Sequence, residues 1–209
     1  MRTGLVALSL AGALASARFA DAAPTAFAPE ARTGAYARGA VGMAYGGWRI
    51  SSGRFSGLAW GEAVQGSAAV GWAFIDGLAF AAEARGFFQG GSASAGWTWS
   101  APEVLVVGGV VDYFPHPTGS LHVELGFGAM RGQLSGPDIT ELVSDNTRGV
   151  DEFERLSGVF AHGGVGWAWP LSGKLQLGPA FGLYRGRASN GGANFDLYGG
   201  SLELALTWR

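Results

Sequence analysis

The sequence predicts an all-β chain: an eight-stranded antiparallel up-and-down transmembrane β-barrel, with short turns on one rim and longer loops on the other. Three observations carry this. The first is the stretch from Asp196 to Arg209, DLYGGSLELALTWR, in which Tyr198, Leu202, Leu204, Leu206 and Trp208 alternate with Ser201, Glu203, Ala205, Thr207 and Arg209. It has one apolar and one polar face and is long enough for a tilted strand across a bilayer, which takes about 9–11 residues. Such a strand needs partners, because an open sheet edge cannot exist in lipid. The second is that the pattern recurs to give eight segments, the even count that a closed antiparallel barrel requires. The third is that all eight tryptophans fall near predicted strand ends or in adjoining loops, as amphipathic rings do at the two membrane interfaces.

The segments run in order as follows. Gly34–Gly46 sets Ala35, Ala37, Val41, Met43 and Tyr45 on one face and Tyr36, Arg38, Ala40, Gly42 and Ala44 on the other. A glycine-rich loop is expected over 47–61. Glu62–Phe74 turns Val64, Ala68, Val70, Trp72 and Phe74 outward and Gln65, Ser67, Ala69, Gly71 and Ala73 inward. Ile75-Asp76-Gly77 reads as a tight turn. Leu78–Phe88 then points Glu83 and Arg85 in. A Gly/Ser loop is expected over 89–101. The fourth strand spans Pro102 to Tyr113, where the run Val104-Leu105-Val106-Val107 hides the alternation and leaves the facing open. After a turn at Pro115–Thr118, Gly119–Arg131 directs His122, Glu124, Gly126 and Gly128 inward.

Residues 132–156 are expected to be an acidic strand-free loop, carrying Asp138, Glu141, Asp145, Asp151, Glu152 and Glu154. Ser157–Trp169 then faces Phe160, His162, Gly164 and Gly166 inward, and Pro170–Gly173 is a turn. Lys174–Gly186 is expected to turn Lys174, Gln176, Gly178, Ala180 and Gly182 inward. A last loop is expected over 187–195. Short connections near 76, 116 and 172 alternate with longer ones. The short turns and both ends of the barrel segment therefore share one rim, and the longer loops share the other.

Composition agrees with this reading and excludes other classes. Charged residues are 14% of the chain, against roughly 25% in a soluble globular protein. Glycine is 37 of 209 residues with no Gly-X-Y period, so the excess is not collagen-like. There is no cysteine, hence no disulfide or thiolate chemistry. The net charge of −2 gives no argument for nucleic acid, and no glycine-rich stretch has the phosphate-loop form. The start combines Met1-Arg2, an apolar run from Leu5 to Ala11, and A-x-A sites at Ala15-Ser16-Ala17 and Ala20-Asp21-Ala22. Residues 1–22 are expected to be a signal peptide, 23–33 a linker, and 34–209 the barrel. No stretch reaches the about 18 apolar residues of a spanning helix.

The leader MRTGLVALSLAGALASA, the strands GSLHVELGFGAM and KLQLGPAFGLY, and the terminal SLELALTWR make residues 34–209 similar to the small eight-stranded outer-membrane β-barrel proteins of the OmpA/OmpX type. That resemblance implies the bacterial outer membrane, short periplasmic turns and longer outer loops. It also implies as partners outer-membrane lipid, lipopolysaccharide and the barrel-assembly machinery, for a monomer. Members of the group commonly end in a phenylalanine that the assembly machinery reads; here Trp208 is followed by Arg209.

The inward polar set is Arg38, Gln65, Ser67, Glu83, Arg85, His122, Glu124, His162, Lys174, Gln176, Glu203 and Thr207. Of these, Arg38, Glu83, Arg85, His122, Glu124, His162 and Glu203 are expected to form an ion-paired network, since buried charges left unpaired cost heavily. Pairing of the first strand with the last is expected to bring Arg38 to Glu203. Glycines 42, 126, 128, 164, 166 and 182 are expected to leave a small cavity in the outer half of the lumen. The expected function is a structural or surface-interaction role in the outer membrane, without enzymatic activity, cofactor or metal. The alternatives are a narrow channel or small-ligand porin, a lipid-modifying enzyme using Ser120, His122 and Glu124, and a secreted carrier with its apolar faces turned inward. Ser120, His122 and Glu124 share a face but stand about 6.6 Å apart in succession, too far to form a triad unaided. His122 and His162 would need Glu124 to hold a metal, and Asp138, Asp145 and Asp151 are a weaker cation candidate.

Overall fold

The computed structural model describes residues 33–52, 55–89, 92–94, 97–99, 103–116, 120–133, 156–190 and 193–209. The strands are β1 (Gly34–Ser52), β2 (Phe55–Ile75), β3 (Leu78–Gln89), β4 (Ser92–Ser94), β5 (Trp97–Trp99), β6 (Glu103–Tyr113), β7 (Leu121–Gln133), β8 (Leu156–Trp167), β9 (Trp169–Ser172), β10 (Leu175–Asn190) and β11 (Ala193–Trp208). All ladders are antiparallel. Among the described residues the ring runs β11-β1-β2-β3-β6-β7-β8-β10, and β10 pairs back to β11 to close it. The ring is thus eight strands round, with β9 continuing the line of β8 beside β10. The break falls at Ala168, opposite Gly178-Pro179, where proline has no N–H for the ladder.

The facing follows the alternation. Val41, Met43, Val70, Phe80, Leu125, Phe127, Val165, Phe181, Leu202, Leu204 and Leu206 lie on the outside, exposed, in a continuous apolar belt. Every charged side chain expected inside, apart from Lys174, is buried. A closed ring with apolar residues outside and ionised residues inside is a barrel built to cross a bilayer. β6 resolves the facing that its valine run concealed: Val104, Val106, Val110 and Asp112 point in, Leu105 and Val107 out.

Several connections differ from expectation. The loops expected over 47–61 and 187–195 are largely strand: β1 and β2 pair out to Ser52↔Phe55, and β10 and β11 out to Asn190↔Ala193. At 19, 21, 16 and 16 residues, these strands run well past the about 9–11 that span the bilayer. The alternation of β1 continues past Gly47, where a glycine-rich loop was expected to begin. The stretch 89–101 holds a small hairpin, β4 paired to β5. The turn expected over Pro170–Gly173 narrows to Gly173-Lys174, with Pro170 inside β9. At the tight turns, Gly77 and Gly173 have φ of 82° and 25°, backbone that favours glycine. The expected signal peptide and the acidic residues of 134–155 lie outside the described residues.

The register also fixes the tilt. Stepping across ladder partners from Arg38 through Ala69, Glu83, Gly108, Gly128, Phe160, Gly186 and Leu197 returns to β1 at Trp48, ten residues further along. For eight strands this stagger implies a tilt of about 40°. Residues at one depth are therefore not ladder partners. A level path drops a little over one residue per strand toward the short-turn rim.

Leu204 sits in the middle of the belt, 51% exposed. Leu204→Arg is expected to cost roughly 2–4 kcal/mol at the bilayer midplane. The expected result is loss of the folded band when unboiled membrane protein is run on a gel; a wild-type yield of that band would contradict the outward facing.

Candidate functional site

The lumen is where the chain concentrates its chemistry, and it is filled in three layers. The middle layer is ionic. Arg85 reaches Glu203 Oε1 with Nη1 at 2.8 Å and Glu83 Oε1 with Nη2 at 3.0 Å, and its Nη2 stands 3.6 Å from Glu124 Oε1. Arg38 pairs through Nη1 with the other oxygen of Glu124. His162 Nε2 lies 2.8 Å from Glu83 Oε2, and its Nδ1 lies 3.7 Å from Glu124. Ser201 donates to Glu203 at 3.1 Å. Arg38, Glu83, Arg85, Glu124, His162 and Glu203 are each at most 7% exposed, so this layer crosses the lumen without opening to water.

The expected pairing of Arg38 with Glu203 is corrected. The ladder sets Arg38 opposite Thr207, and Glu203 opposite Gly42, four residues or about 13 Å up the strand. β7 lies halfway round the ring from β1. Its ladder-equivalent of Arg38 is Gly128, and half of the ten-residue stagger brings the level down to the neighbourhood of Glu124. Arg38 therefore meets Glu124 straight across the lumen, and Arg85 takes Glu203.

The layer toward the short-turn rim is a stack. Asp112 accepts from Tyr36 Oη at 2.8 Å on one oxygen and lies 2.8 Å from His122 Nδ1 on the other. His122 stacks on Phe114, centroids 5.1 Å apart at 12°. The Arg209 guanidinium lies over the same Phe114 ring, 3.3 Å from its centroid, a cation–π contact. The sequence reading named His122 here but missed Asp112 and Arg209. A signal for Asp112 was present: a charged residue among the valines of a lipid-crossing strand must point inward.

The layer toward the long-loop rim is aromatic, where a cavity was expected. Trp48, Phe87, Phe160, Tyr184 and Phe195 pack with Met130, Leu156 and Leu197. The Phe87–Tyr184 and Phe87–Phe160 centroids are 5.0 and 5.6 Å apart. The void between Trp48, Phe87, Val104 and Tyr184 is about 10 Å³, barely one water. Some inward glycines make room for neighbouring rings, while Gly42, Gly128 and Gly164 lie against the backbone of the next strand and Gly182 beside Ser201 Oγ. A Cβ on Gly126 would lie 2.0 Å from His162 Nε2, one on Gly166 would lie 1.9 Å from His122 Nε2, and one on Gly199 would lie 2.4 Å from the Tyr184 hydroxyl.

Other expected positions sort accordingly. Gln65, Gln176 and Thr207 are buried inside, and Ser67 is half-buried. Lys174 is exposed at its turn, 5.7 Å from the Trp208 ring, because the turn residue precedes the first ladder pair, Leu175↔Trp208. Trp48 is in the lumen and not on the outer girdle, because β1 continues inward-outward past Gly46. Trp60, Trp72, Trp167, Trp169 and Trp208 do lie outside. Ser120, His122 and Glu124 do not converge: His122 is taken by Asp112, and Glu124 by Arg38 and Arg85. Nor do His122 and His162 share a ligand position, and no group of three or more potential metal ligands occurs among the described residues.

With this geometry in place, likeness to solved structures is informative. The chain is similar to Neisserial surface protein A, with a TM-score of 0.51 at 12% identity, covering 84% of this chain and 98% of that one. It is similar to the outer membrane protein OprG from Pseudomonas aeruginosa, with a TM-score of 0.51 at 11% identity, covering 86% and 96%. No protein-family model and no curated protein sequence matches it. The fold is that of the small bacterial outer-membrane barrels, closed, eight-stranded and antiparallel.

Glu124→Ala is expected to strand Arg38 in a dry lumen and lower folding stability by about 3–5 kcal/mol, read as a drop in the urea midpoint. A double-mutant cycle is expected to show coupling for Arg38 with Glu124 and little for Arg38 with Glu203; the reverse order would contradict the cross-lumen pairing. Gly166→Val is expected to displace His122 at about 1–3 kcal/mol, measured the same way.

Proposed function

We propose that this chain is a closed outer-membrane scaffold that works through its outer rim and conducts nothing through its lumen. The observation that carries the reading is the ionic layer of Arg38, Glu83, Arg85, Glu124, His162 and Glu203, paired wall to wall. Above it lies the aromatic layer, where the void among Trp48, Phe87, Val104 and Tyr184 is about 10 Å³. An ion entering this path would have to displace guanidinium–carboxylate pairs that have no water to replace them, and breaking such a pair costs several kcal/mol.

The reading is non-enzymatic. His122, the best-placed general base, is held by Asp112, faced by Phe114 and backed by Gly166, so no substrate atom reaches its second nitrogen. What remains for function is the outer end, where β1–β2 and β10–β11 project as long hairpins beyond the apolar belt. In this reading the chain is a monomer, surrounded by outer-membrane lipid and lipopolysaccharide and inserted by the barrel-assembly machinery.

In planar bilayers the purified barrel is expected to give no resolved single-channel steps. Truncating Trp48, Phe87 and Phe160 together to alanine is expected to leave the bilayer silent too, because the ionic layer still closes the path. Steady conductance from the wild-type protein would overturn the scaffold reading in favour of a narrow channel.

A further inference from the structure

The outer wall carries a basic groove that the lumen reading does not use. On the outward face of the β1–β11–β10 strip, Arg49 is the ladder partner of Asp196, and Asp196 of Arg187. Arg185 lies two residues below Arg187 and opposite Tyr198. All three arginines are exposed. Arg49, Arg185, Asp196 and Tyr198 line a groove of about 210 Å³. Among the described residues Asp196 is the one carboxylate at the groove, and its contact with Arg187 is long, at 3.9 Å. The next outward carboxylate on the neighbouring strand, Glu62, is four residues below Leu58, the β2 partner of Arg49, or about 13 Å away along the strand. Among the described residues three guanidiniums thus face one carboxylate, which makes this part of the wall positive.

Its depth is set by what surrounds it. Trp60 lies across bare Gly47, stacked on Tyr45 at 6.0 Å and edge-on to Tyr198 at 5.3 Å. Arg185, Tyr198, Gly47 and Trp60 follow one another as ladder partners, so the cluster begins beside Arg185 and, with the tilt, rises from it toward the long-loop rim. Below it the same strip is wholly apolar, with Met43, Leu183, Leu202 and Phe181 exposed. Aromatic rings of this kind sit at the headgroup boundary. Arg187 stands two residues beyond Arg185 and Arg49 two beyond Gly47, each about 6.6 Å further along its strand toward the long-loop rim, among and just beyond the aromatic rings, where lipid phosphates lie. Guanidinium groups match phosphate oxygens bidentately.

We propose that Arg49, Arg185 and Arg187 form a binding site for the phosphate of an anionic lipid in the outer leaflet, whose acyl chains pack on the apolar strip beneath. The site rests on the orientation of the barrel, with its long hairpins outward, and is independent of whether the lumen is closed.

The test uses the full barrel in a nonionic detergent, with binding read by native mass spectrometry. The probes are bisphosphorylated lipid A, the same lipid stripped of phosphate, and inorganic phosphate as competitor. Bisphosphorylated lipid A is expected to bind, with affinity falling about fivefold for each arginine removed, and so on the order of a hundredfold in Arg49→Gln/Arg185→Gln/Arg187→Gln. Arg131→Gln, which alters an exposed arginine two strands away on β7, is expected to bind as the wild type does. The heat-dependent gel shift reports folding, and Arg185→Gln alone serves if the triple variant does not fold. Equal binding by the arginine variants, or equal binding of the dephosphorylated lipid, would overturn the site. Displacement of lipid A by millimolar inorganic phosphate would assign the groove to free phosphate and overturn the lipid assignment. A conductance result leaves this outcome untouched.

Discussion

The pairing of β11 with β1, sixteen ladder positions from Ala37↔Trp208 to Ser52↔Ala193, is the contact on which the rest of the molecule depends. Without it two strand edges would face hydrocarbon with unpaired N–H and C=O groups, each at a cost of several kcal/mol. With it the sheet has an inside and an outside of opposite chemistry. Lipid admits no charge on the outside, so every ionised residue at the depth of the apolar belt goes in. Once inside, these residues must find partners in an interior that eight strands leave just wide enough for side chains to fill. Closure also imposes the ten-residue stagger, and the stagger decides which residues share a depth.

The lumen solves its packing by complementing large side chains with absent ones. His162 lies over Gly126, His122 over Gly166, and Tyr184 against Gly46 and Gly199. Part of the glycine content is thus matched by rings elsewhere in the chain, and part by close approach of neighbouring strands, as at Gly42 and Gly158. Between an aromatic layer above and a stacked Arg209–Phe114–His122 layer below, the ion pairs are shielded from bulk water at both ends. Shielding raises the penalty for breaking any one pair, and the network therefore behaves as one rigid plug and not as a set of independent contacts.

How far this was legible differs by residue. Glu83, Arg85, His122, Glu124, His162 and Glu203 were readable as inward residues because each falls on the polar parity of a strand whose other parity is apolar. Asp112 escaped because Val104-Leu105-Val106-Val107 shows no parity, although its charge alone pointed inward; the placement of Val110 and Asp112 on one face bears that out. Trp48 escaped because Gly46-Gly47 resembles a turn in sequence, whereas in the sheet those glycines are bare positions that Tyr184 and Trp60 cover. The same confusion shortened β1, β2, β10 and β11. Glycine in a strand and glycine in a loop are written alike, and neighbouring strands tell them apart.

Alternation along each strand, read against a solvent that rejects charge, was enough to give the strand count, the sidedness of nearly every residue and the class of environment on each face. It was enough because these are local properties with a period of two residues. Which carboxylate serves which guanidinium, whether the lumen is open or plugged, and that three arginines from two distant hairpin arms gather at one groove were decided only when the ring closed. Those depend on tilt and stagger, which belong to eight strands together and to no single one of them. Arg38 shows the difference: its facing is written in its own strand, but its partner is Glu124 because β7 stands half a turn away at the same depth.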